Sequence, residues 1–236
     1  MKPLVVIPAR GGSKRLPNKN ILPLGGKPLI LHTVDFARKH FSDDQICVSS
    51  DDPQIIRIVE STGLKVPFLR PSELATDIAT TRDVLIHASK YYSEALEYHH
   101  DLIVLLQPTS PFRLDNDLKR GLALYQTSSG IDMVVSVHET KSNPYFVLYE
   151  ENVDGFLEKS KKGTFTRRQD APKVWEVNGA LYIINKESLI LKPIHSFDKI
   201  KKSITDENCS VDIDTLIDYD YANYLFKFIF PNVSEL

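Results

Sequence analysis

Two stretches of this sequence carry side chains whose types and spacing suit chemistry on a charged ligand. The first is Ala9-Arg10-Gly11-Gly12-Ser13-Lys14-Arg15-Leu16-Pro17-Asn18-Lys19-Asn20, which follows the apolar run Leu4-Val5-Val6-Ile7. Adjacent glycines let a backbone approach a ligand closely and turn N–H groups toward phosphate oxygens. Arg10, Lys14, Arg15 and Lys19 add four cations, a density matched to a triphosphate, whose charge must be neutralised before attack at phosphorus. The loop is neither G-x-x-x-x-G-K-[ST] nor the dinucleotide fingerprint G-x-G-x-x-G. A basic surface loop without a ligand is the alternative, but it leaves the Gly-Gly pair, the four cations and the preceding strand as coincidence. The second stretch is Asp212-x-Asp214. In an extended segment alternate side chains share a face, and two carboxylates so placed can hold a hard divalent cation through oxygen. The pair equally suits exposed aspartates ahead of a helix, one of them capping it, and the residues alone leave both readings open.

These groups need elements to position them. Leu4–Ile7 reads as a central strand. A helix is expected over Pro28–His40, with Pro28 in its first turn and Leu29, Ile30, Thr33, Val34 and Ala37 at helical spacing. Gln45–Ser49 reads as a strand. A helix opened by Asp51-Asp52-Pro53 runs to Glu60, with Gly63 as its stop. Leu64–Phe68 is a candidate strand, Thr81–His99 a helix, and Leu102–Leu106 a buried strand that delivers Gln107-Pro108-Thr109-Ser110-Pro111 at its end. Leu114–Gln126 is expected as a helix, Met133–Val137 and Val177–Asn185 as strands, and Leu216–Phe230 as a final helix. Repeated βα alternation implies an α/β fold with a doubly wound, mostly parallel sheet, and ligands of such sheets bind beyond the carboxyl ends of the strands. The pattern weakens over residues 141–171, where Glu158-Lys159-Ser160-Lys161-Lys162 raises the charge. This stretch is expected as a hairpin-like excursion or dimerisation arm inserted in a single domain spanning residues 1–236.

Composition narrows the class. The chain has 236 residues, 42% of them hydrophobic and 25% charged, with a formal net charge of −2. So balanced a charge gives no global footprint for nucleic acid or an anionic membrane, and an anionic substrate must be held by a local cluster of cations. There are two cysteines and no C-x-x-C, which excludes a thiolate zinc site of ordinary spacing. Cys47 reads as a small buried hydrophobe. No apolar stretch approaches the roughly 18 residues of a membrane span, nor is there the apolar stretch of a signal peptide; a cytoplasmic protein is expected. His138-Glu139 resembles an acid/base pair but sits in a loop that no other motif anchors.

Several blocks, in order, resemble one family. Ile7-Pro8-Ala9-Arg10-Gly11-Gly12-Ser13-Lys14 with Pro17-Asn18-Lys19-Asn20 is similar to the signature of acylneuraminate cytidylyltransferases, the CMP-sialic acid synthetases. Leu69-Arg70-Pro71-Ser72-Glu73-Leu74-Ala75 with Asp77, Leu106-Gln107-Pro108-Thr109-Ser110-Pro111, Arg167-Arg168-Gln169-Asp170, Asn178-Gly179-Ala180-Leu181-Tyr182-Ile183 and Ser210-Val211-Asp212-Ile213-Asp214-Thr215 resemble further family blocks, and the likeness covers nearly the whole chain.

The resemblance implies a Rossmann-like nucleotidyltransferase fold and a homodimer that converts CTP and a 2-keto sugar acid to a CMP-sugar and pyrophosphate. It implies Mg2+ held by Asp212 and Asp214, and a nucleotide held by Ala9, Arg10, Gly11, Gly12, Ser13, Lys14, Lys19, Asn20, Arg70 and Thr80. It places Gln107, Thr109, Ser110, Arg168 and Gln169 at the sugar acid, some of the last residues reaching across a dimer interface. Arg10 and Lys19, with the two aspartates, would carry catalysis by alignment and charge neutralisation. A Kdo cytidylyltransferase shares Ala-Arg, Ser and Arg-Leu-Pro-x-Lys of the first block; Gly11-Gly12, Lys19-Asn20 and the D-x-D favour the sialic acid branch. A non-catalytic nucleotide-binding protein on the same fold is a further reading, which the presence of both aspartates disfavours. A glycosyltransferase would place its D-x-D mid-chain and leave the Arg-Gly-Gly loop unexplained. The C-terminal phosphatase or esterase domain of longer members is not expected after Leu236.

Overall fold

The computed structural model describes residues 1–228. In chain order its strands are β1 (Pro3–Pro8), β2 (Pro23–Leu24), β3 (Lys27–Pro28), β4 (Ile46–Ser49), β5 (Leu102–Leu105), β6 (Met133–Glu139), β7 (Tyr149–Glu151), β8 (Leu157–Lys159), β9 (Trp175–Asn185) and β10 (Ile200–Ile204). Its helices are α1 (Leu29–His40), α2 (Pro53–Glu60), α3 (Thr81–Glu94), α4 (Asp115–Gln126), α5 (Lys186–Leu191) and α6 (Leu216–Phe228). Six strands form one sheet in the order β10-β6-β9-β5-β1-β4. β1 pairs in parallel with β4 and β5, and β6 with β10, while β9 runs antiparallel to β5 and β6. The mostly parallel α/β architecture expected from the βα alternation is therefore present, with β9 as its reversed strand.

Alternation of side chains builds a core on both faces of the sheet. Val5 and Ile7 of β1 pack with Ile30, Val34 and Ala37 of α1, Ile55 and Val59 of α2 and Leu118 of α4. Leu4 and Val6 face the other way, onto Leu85, Ala88 and Tyr92 of α3 and Leu189 of α5. Both faces being covered explains why β1 reads as an unbroken apolar run. Each such side chain, fully buried, contributes about 1.5–3 kcal/mol. Cys47 is free and fully buried in the second cluster, as a small hydrophobe. Among the described residues no helix is long and apolar enough to cross a membrane.

The departures from expectation have local causes. Leu64–Phe68 forms no strand: Pro67 lacks a donor, and contact with the sheet is reduced to a single bridge, Leu69 with Ser50. The helix expected to reach His99 stops at Glu94 because the chain reverses at Glu97, which takes φ +54° and lets the Tyr98 N–H donate to the Tyr92 carbonyl at 2.8 Å. β10 and α5 were not foreseen. β10, Ile-Lys-Lys-Ser-Ile, is an edge strand whose lysines face solvent and hide its period. The expected final helix is seen as Leu216–Phe228; residues 229 and 230 lie outside the described residues. Within residues 141–171 the chain leaves the sheet and folds the antiparallel pair β7–β8.

The unforeseen segment after β9 is anchored by one carboxylate. Asp132, with its side chain 8% exposed, accepts from Ser188 Oγ at 2.7 Å, Lys192 Nζ at 3.0 Å and the backbone N–H groups of Asp198 and Lys199 at 3.1 and 3.0 Å. The Lys199 N–H foremost, with the Ser188 hydroxyl and the Lys192 ammonium, holds its carboxyl well below the usual carboxylate range. A depressed folded pKa contributes stability above the unfolded value, near pH 4, that is lost as pH falls below it. Asp132→Asn is therefore expected to lower stability at pH 7 by about 1–2 kcal/mol, the effect of removing a charged acceptor from partly buried donors. Urea melts at pH 7 and pH 3 check this: the gap between variant and parent should narrow at the lower pH, and a gap unchanged by pH would contradict the assignment.

Candidate active site

The cationic loop leaves β1 at Pro8 and is tied down at three points. The Ala9 N–H donates to the Ser49 carbonyl at 2.9 Å, the Gly11 N–H to Asp51 Oδ1 at 3.1 Å, and the buried Asn20 amide to the Arg10 carbonyl at 2.9 Å. Gly11 is required by close approach, since a Cβ there would lie 2.7 Å from Asp52 Oδ2 and 2.8 Å from Asp52 Cβ. Asp52 is itself committed as the N-cap of α2, accepting from the Gln54 N–H at 2.7 Å. The two glycines thus differ: the Gly11 N–H is taken by Asp51, whereas a Cβ on the exposed Gly12 would meet nothing within 4 Å. Ala9 is fully buried behind the loop.

Opposite the loop stands the D-x-D segment. Val211 and Ile213 are buried in a third apolar cluster with Leu16, Leu24, Leu29, Phe112 and Leu225. Alternation then turns Asp212 and Asp214 to the cleft, although the segment is not a strand. The Ile213 N–H donates to the Thr109 carbonyl at 2.8 Å, which clips the segment to the loop after β5. The resulting cleft, about 590 Å³, is lined by Arg10, Ser13, Lys14, Arg15, Lys19 and Asn20 on one side and by Gln107, Pro108, Thr109, Asp212 and Asp214 on the other. Lys19 Nζ lies 2.7 Å from Asp214 Oδ1, and Arg15 Nη1 3.8 Å from Asp214 Oδ2. The Asp212 side chain lines the cleft and is exposed to solvent there, yet the surrounding protein displaces part of its hydration. That loss of solvation raises its carboxyl pKa, as do Asp214 and Asp218, against the Thr109 hydroxyl and Lys19.

Two further lobes adjoin this cleft. One, about 270 Å³, shares Pro8, Arg10 and Asp77 with it and adds Arg70, Leu74, Thr76, Ala79, Thr80, Thr81 and Val84. Arg70 is 4% exposed and donates to Ser49 Oγ at 3.0 Å and to the Ser49 carbonyl, so it is part of the wall. Thr80 caps α3 in a capping box with Asp83. The other lobe, about 520 Å³, shares Gln107 with the main cleft and is lined by Thr80, Thr81, Arg82, Leu105, Tyr182, Pro193, Ile194 and His195.

Three of the residues expected at the sugar acid lie elsewhere in this chain. Ser110 is fully buried and donates to the Asn178 carbonyl at 3.2 Å, so its hydroxyl shapes the wall from behind. Arg168 and Gln169 are exposed on a turn outside the three lobes, where Arg168 donates to the Lys141 carbonyl at 2.6 Å. Two further residues shape the site: Arg113, which no motif marks, and Gly179, which the sequence marks only as a member of a family block. Arg113, 6% exposed, donates to the carbonyls of Ala180 (2.6 Å) and Gln107 and to Thr33 Oγ1 (3.0 Å); burial pushes its pKa down to about 9. Its signal was an Arg directly after Gln107-Pro108-Thr109-Ser110-Pro111-Phe112 with no helix face to occupy. Gly179 takes φ +75° at the bulge between β6 and β9, and a Cβ there would lie 2.6 Å from Gln107 Oε1 and 2.9 Å from Ser110 Oγ. A glycine inside a strand signals such an approach. Gly179→Ala is expected to cost about 1–3 kcal/mol from the left-handed backbone and the crowding of Gln107. Thermal melting checks the stability, and a crystal structure of the variant with an undisplaced Gln107 side chain would contradict the role given to this glycine.

Comparison with known proteins identifies the family. A family model described as Cytidylyltransferase matches residues 4–225. The chain is 36% identical over 223 residues, 93% of its length, to an N-acylneuraminate cytidylyltransferase of Streptococcus agalactiae, but spans only 52% of that protein. It is 34% identical to a pseudaminic acid cytidylyltransferase of Campylobacter jejuni and 31% identical to a CMP-N,N'-diacetyllegionaminic acid synthase of Legionella pneumophila, covering 96% of this chain and 97% of the relative in each case. Among solved structures, a CMP:2-keto-3-deoxy-manno-octonic acid synthetase complexed with CTP superimposes with a TM-score of 0.71 at 19% identity, over 96% of this chain and 99% of the other. Likeness at that identity speaks to the fold alone.

Proposed function

The chain belongs to the cytidylyltransferase family, and on that premise we propose that it transfers the cytidylyl group of CTP to a 2-keto sugar acid of the sialic acid class, releasing pyrophosphate. The observation that carries this reading is one cleft in which Arg10, Lys14 and Lys19 face Asp212 and Asp214, and which shares Gln107 with a second, acceptor-sized lobe. The relatives' names support the class: they cover an N-acylneuraminate, a pseudaminic acid and a diacetyllegionaminic acid enzyme. No one acid is favoured among these.

In this reading the triphosphate lies along Arg10, Ser13, Lys14, Lys19 and Asn20, over the open backbone at Gly12. The base and ribose lie in the lobe of Arg70 and Thr80. The sugar acid enters past Tyr182, Ile194 and His195, and Gln107 and Thr109 hold it where its anomeric hydroxyl meets the α-phosphate in line. Arg10, Lys14 and Lys19 offset the charge that develops on the phosphates, and pyrophosphate leaves along the loop. Asp212 and Asp214 suit Mg2+, which takes one or two carboxylates and completes its shell with phosphates and water. Two carboxylates leave most of such a shell open, so the triphosphate would share in holding the ion. Its chemistry would be neutralisation of phosphate charge.

The proposal extends to the assembly. The 1–236 unit is read as one catalytic domain with 141–171 as a dimerisation arm, working in the cytoplasm. Leu148, Tyr149, Val153, Phe156 and Leu157 are exposed on or beside the β7–β8 hairpin, an apolar surface suited to a second copy. Such a copy would bring Arg168 and Gln169 to the sugar acid of its partner.

A panel of 2-keto sugar acids, Kdo included, with CTP, ATP and UTP should show magnesium-dependent pyrophosphate release with CTP and a sialic-type acid. Release with no pair would sink the enzymatic reading, and a preference for another nucleotide or for Kdo would redirect it. Asp214→Asn should lower turnover by about 10²–10³ with an unshifted melting temperature, and retained activity would remove Asp214 from the site.

A further inference from the structure

Asp77 sits on the turn after Leu74 and reaches across the mouth of the nucleotide site. Its Oδ1 lies 2.9 Å from Arg10 Nη1 and its Oδ2 2.5 Å from Lys14 Nζ. One carboxylate thus engages two of the four loop cations at once. The Lys14 ammonium, then the Arg10 guanidinium, hold the Asp77 carboxyl below the usual carboxylate range, so it is charged at neutral pH. Its place matters as much as its charge. Pro8, Arg10 and Asp77 are the residues common to the 590 Å³ cleft and the 270 Å³ lobe, so the Arg10–Asp77 pair stands at the junction between them. A nucleotide with its phosphates in one and its base in the other must pass that pair.

We propose that Asp77 is an internal counter-anion that competes with the triphosphate for Arg10 and Lys14 and so sets the affinity of the nucleotide site. The inference rests on the reading of this cleft as a triphosphate site. A carboxylate left beside the phosphates would repel them, so productive binding exchanges one anion for another on the same two cations. The exchange is favourable because both partners of Asp77 are surface groups: Lys14 is 80% and Arg10 39% exposed, and such ion pairs are weak and screened. The triphosphate brings several charges to the same donors. When pyrophosphate leaves, Asp77 recaptures Arg10 and Lys14 and disfavours its return. Asp214, which holds Lys19 at 2.7 Å, differs in kind, because with Asp212 it faces the cleft as the D-x-D pair. Asp77 holds a different pair of cations, Arg10 and Lys14, from the Lys19 and Arg15 that lean on Asp214.

Calorimetric titration of the full chain with CTP and, separately, with inorganic tripolyphosphate tests this, using the parent, Asp77→Asn and Asp77→Glu, with ATP and UTP titrated into the parent as well. The neutral variant should bind both ligands about three- to tenfold more tightly, the release expected from two exposed ion pairs. Asp77→Glu should stay near the parent. A merely structural Asp77 would instead give weaker binding in the Asn variant, and weaker or unchanged binding of tripolyphosphate overturns the proposal. Parent protein that binds tripolyphosphate without preferring CTP over ATP and UTP would remove the cytidylyl assignment while leaving the competition intact. Tighter binding by the Asn variant at low salt that disappears at high salt supports the electrostatic origin; tightening that ignores salt counts against it.

Discussion

One buried amide fixes the wall of the cleft that carries Gln107 and the D-x-D segment. Asn178, 4% exposed, uses both ends of its side chain. Its Oδ1 accepts from Ser136 Oγ at 2.6 Å and the Ala180 N–H at 3.2 Å, and its Nδ2 donates to Thr205 Oγ1 at 2.7 Å and Ser210 Oγ at 2.9 Å. Those partners belong to β6, to β9 itself, to the end of β10 and to the turn that delivers the D-x-D segment. Its carbonyl takes the Ser110 hydroxyl from the loop after β5. Segments far apart in sequence are thus held at one point, and a fully satisfied buried network of this kind specifies a single arrangement. The next residue, Gly179, lies close against Gln107, so the bulge between β6 and β9 also bears on where that side chain stands.

The cleft also has to keep like and unlike charges close without collapse. Asp212 and Asp214 share a face and repel, while Lys19 and Arg15 lean on Asp214, and Arg10 and Lys14 on Asp77. Each pair is at least partly open to water, so none is strong enough to lock the site. Apolar packing below them carries the rigidity instead: Leu16 from the loop and Val211 and Ile213 from the D-x-D segment meet in the same cluster with Phe112. The chemistry-bearing side chains ride on residues that alternate with them in sequence.

That division explains what could be read from the sequence. β1, β4, β5 and the helices between them carry strong periods, because both faces of the sheet are covered, and they were legible with their ends within a few residues. The Arg10–Asn20 loop and the D-x-D pair were legible as chemistry because unusual residue types concentrate in each. Their meeting was not: it depends on Leu16 packing with Val211 and Ile213 and on Ile213 pairing with Thr109, contacts that leave no local trace. β10 hides behind its exposed lysines, and α5 is a six-residue helix capped by Asn185. Ser110 shows the limit of reading a motif as a list of contacts. Membership in a block says that a residue matters; burial and direction decide whether it lines the cleft or supports it.

Arg113 marks the junction of stability and function. A guanidinium this buried is costly unless its charge is answered, yet the groups that accept its hydrogen bonds are two carbonyls and a hydroxyl. The charge that answers it is Asp212, whose field favours the protonated guanidinium and offsets part of the lowering by burial. In return a fixed cation lies behind the wall that carries Gln107, where no nucleotide phosphate can reach it. A lysine at this position would keep the charge but lose the planar fork that spans Thr33, Gln107 and Ala180 at once. The arginine is therefore explained by geometry and by charge together: it ties α1, β9 and the loop after β5 into one wall, and it places a positive charge near the carboxylate pair that the proposed reaction uses.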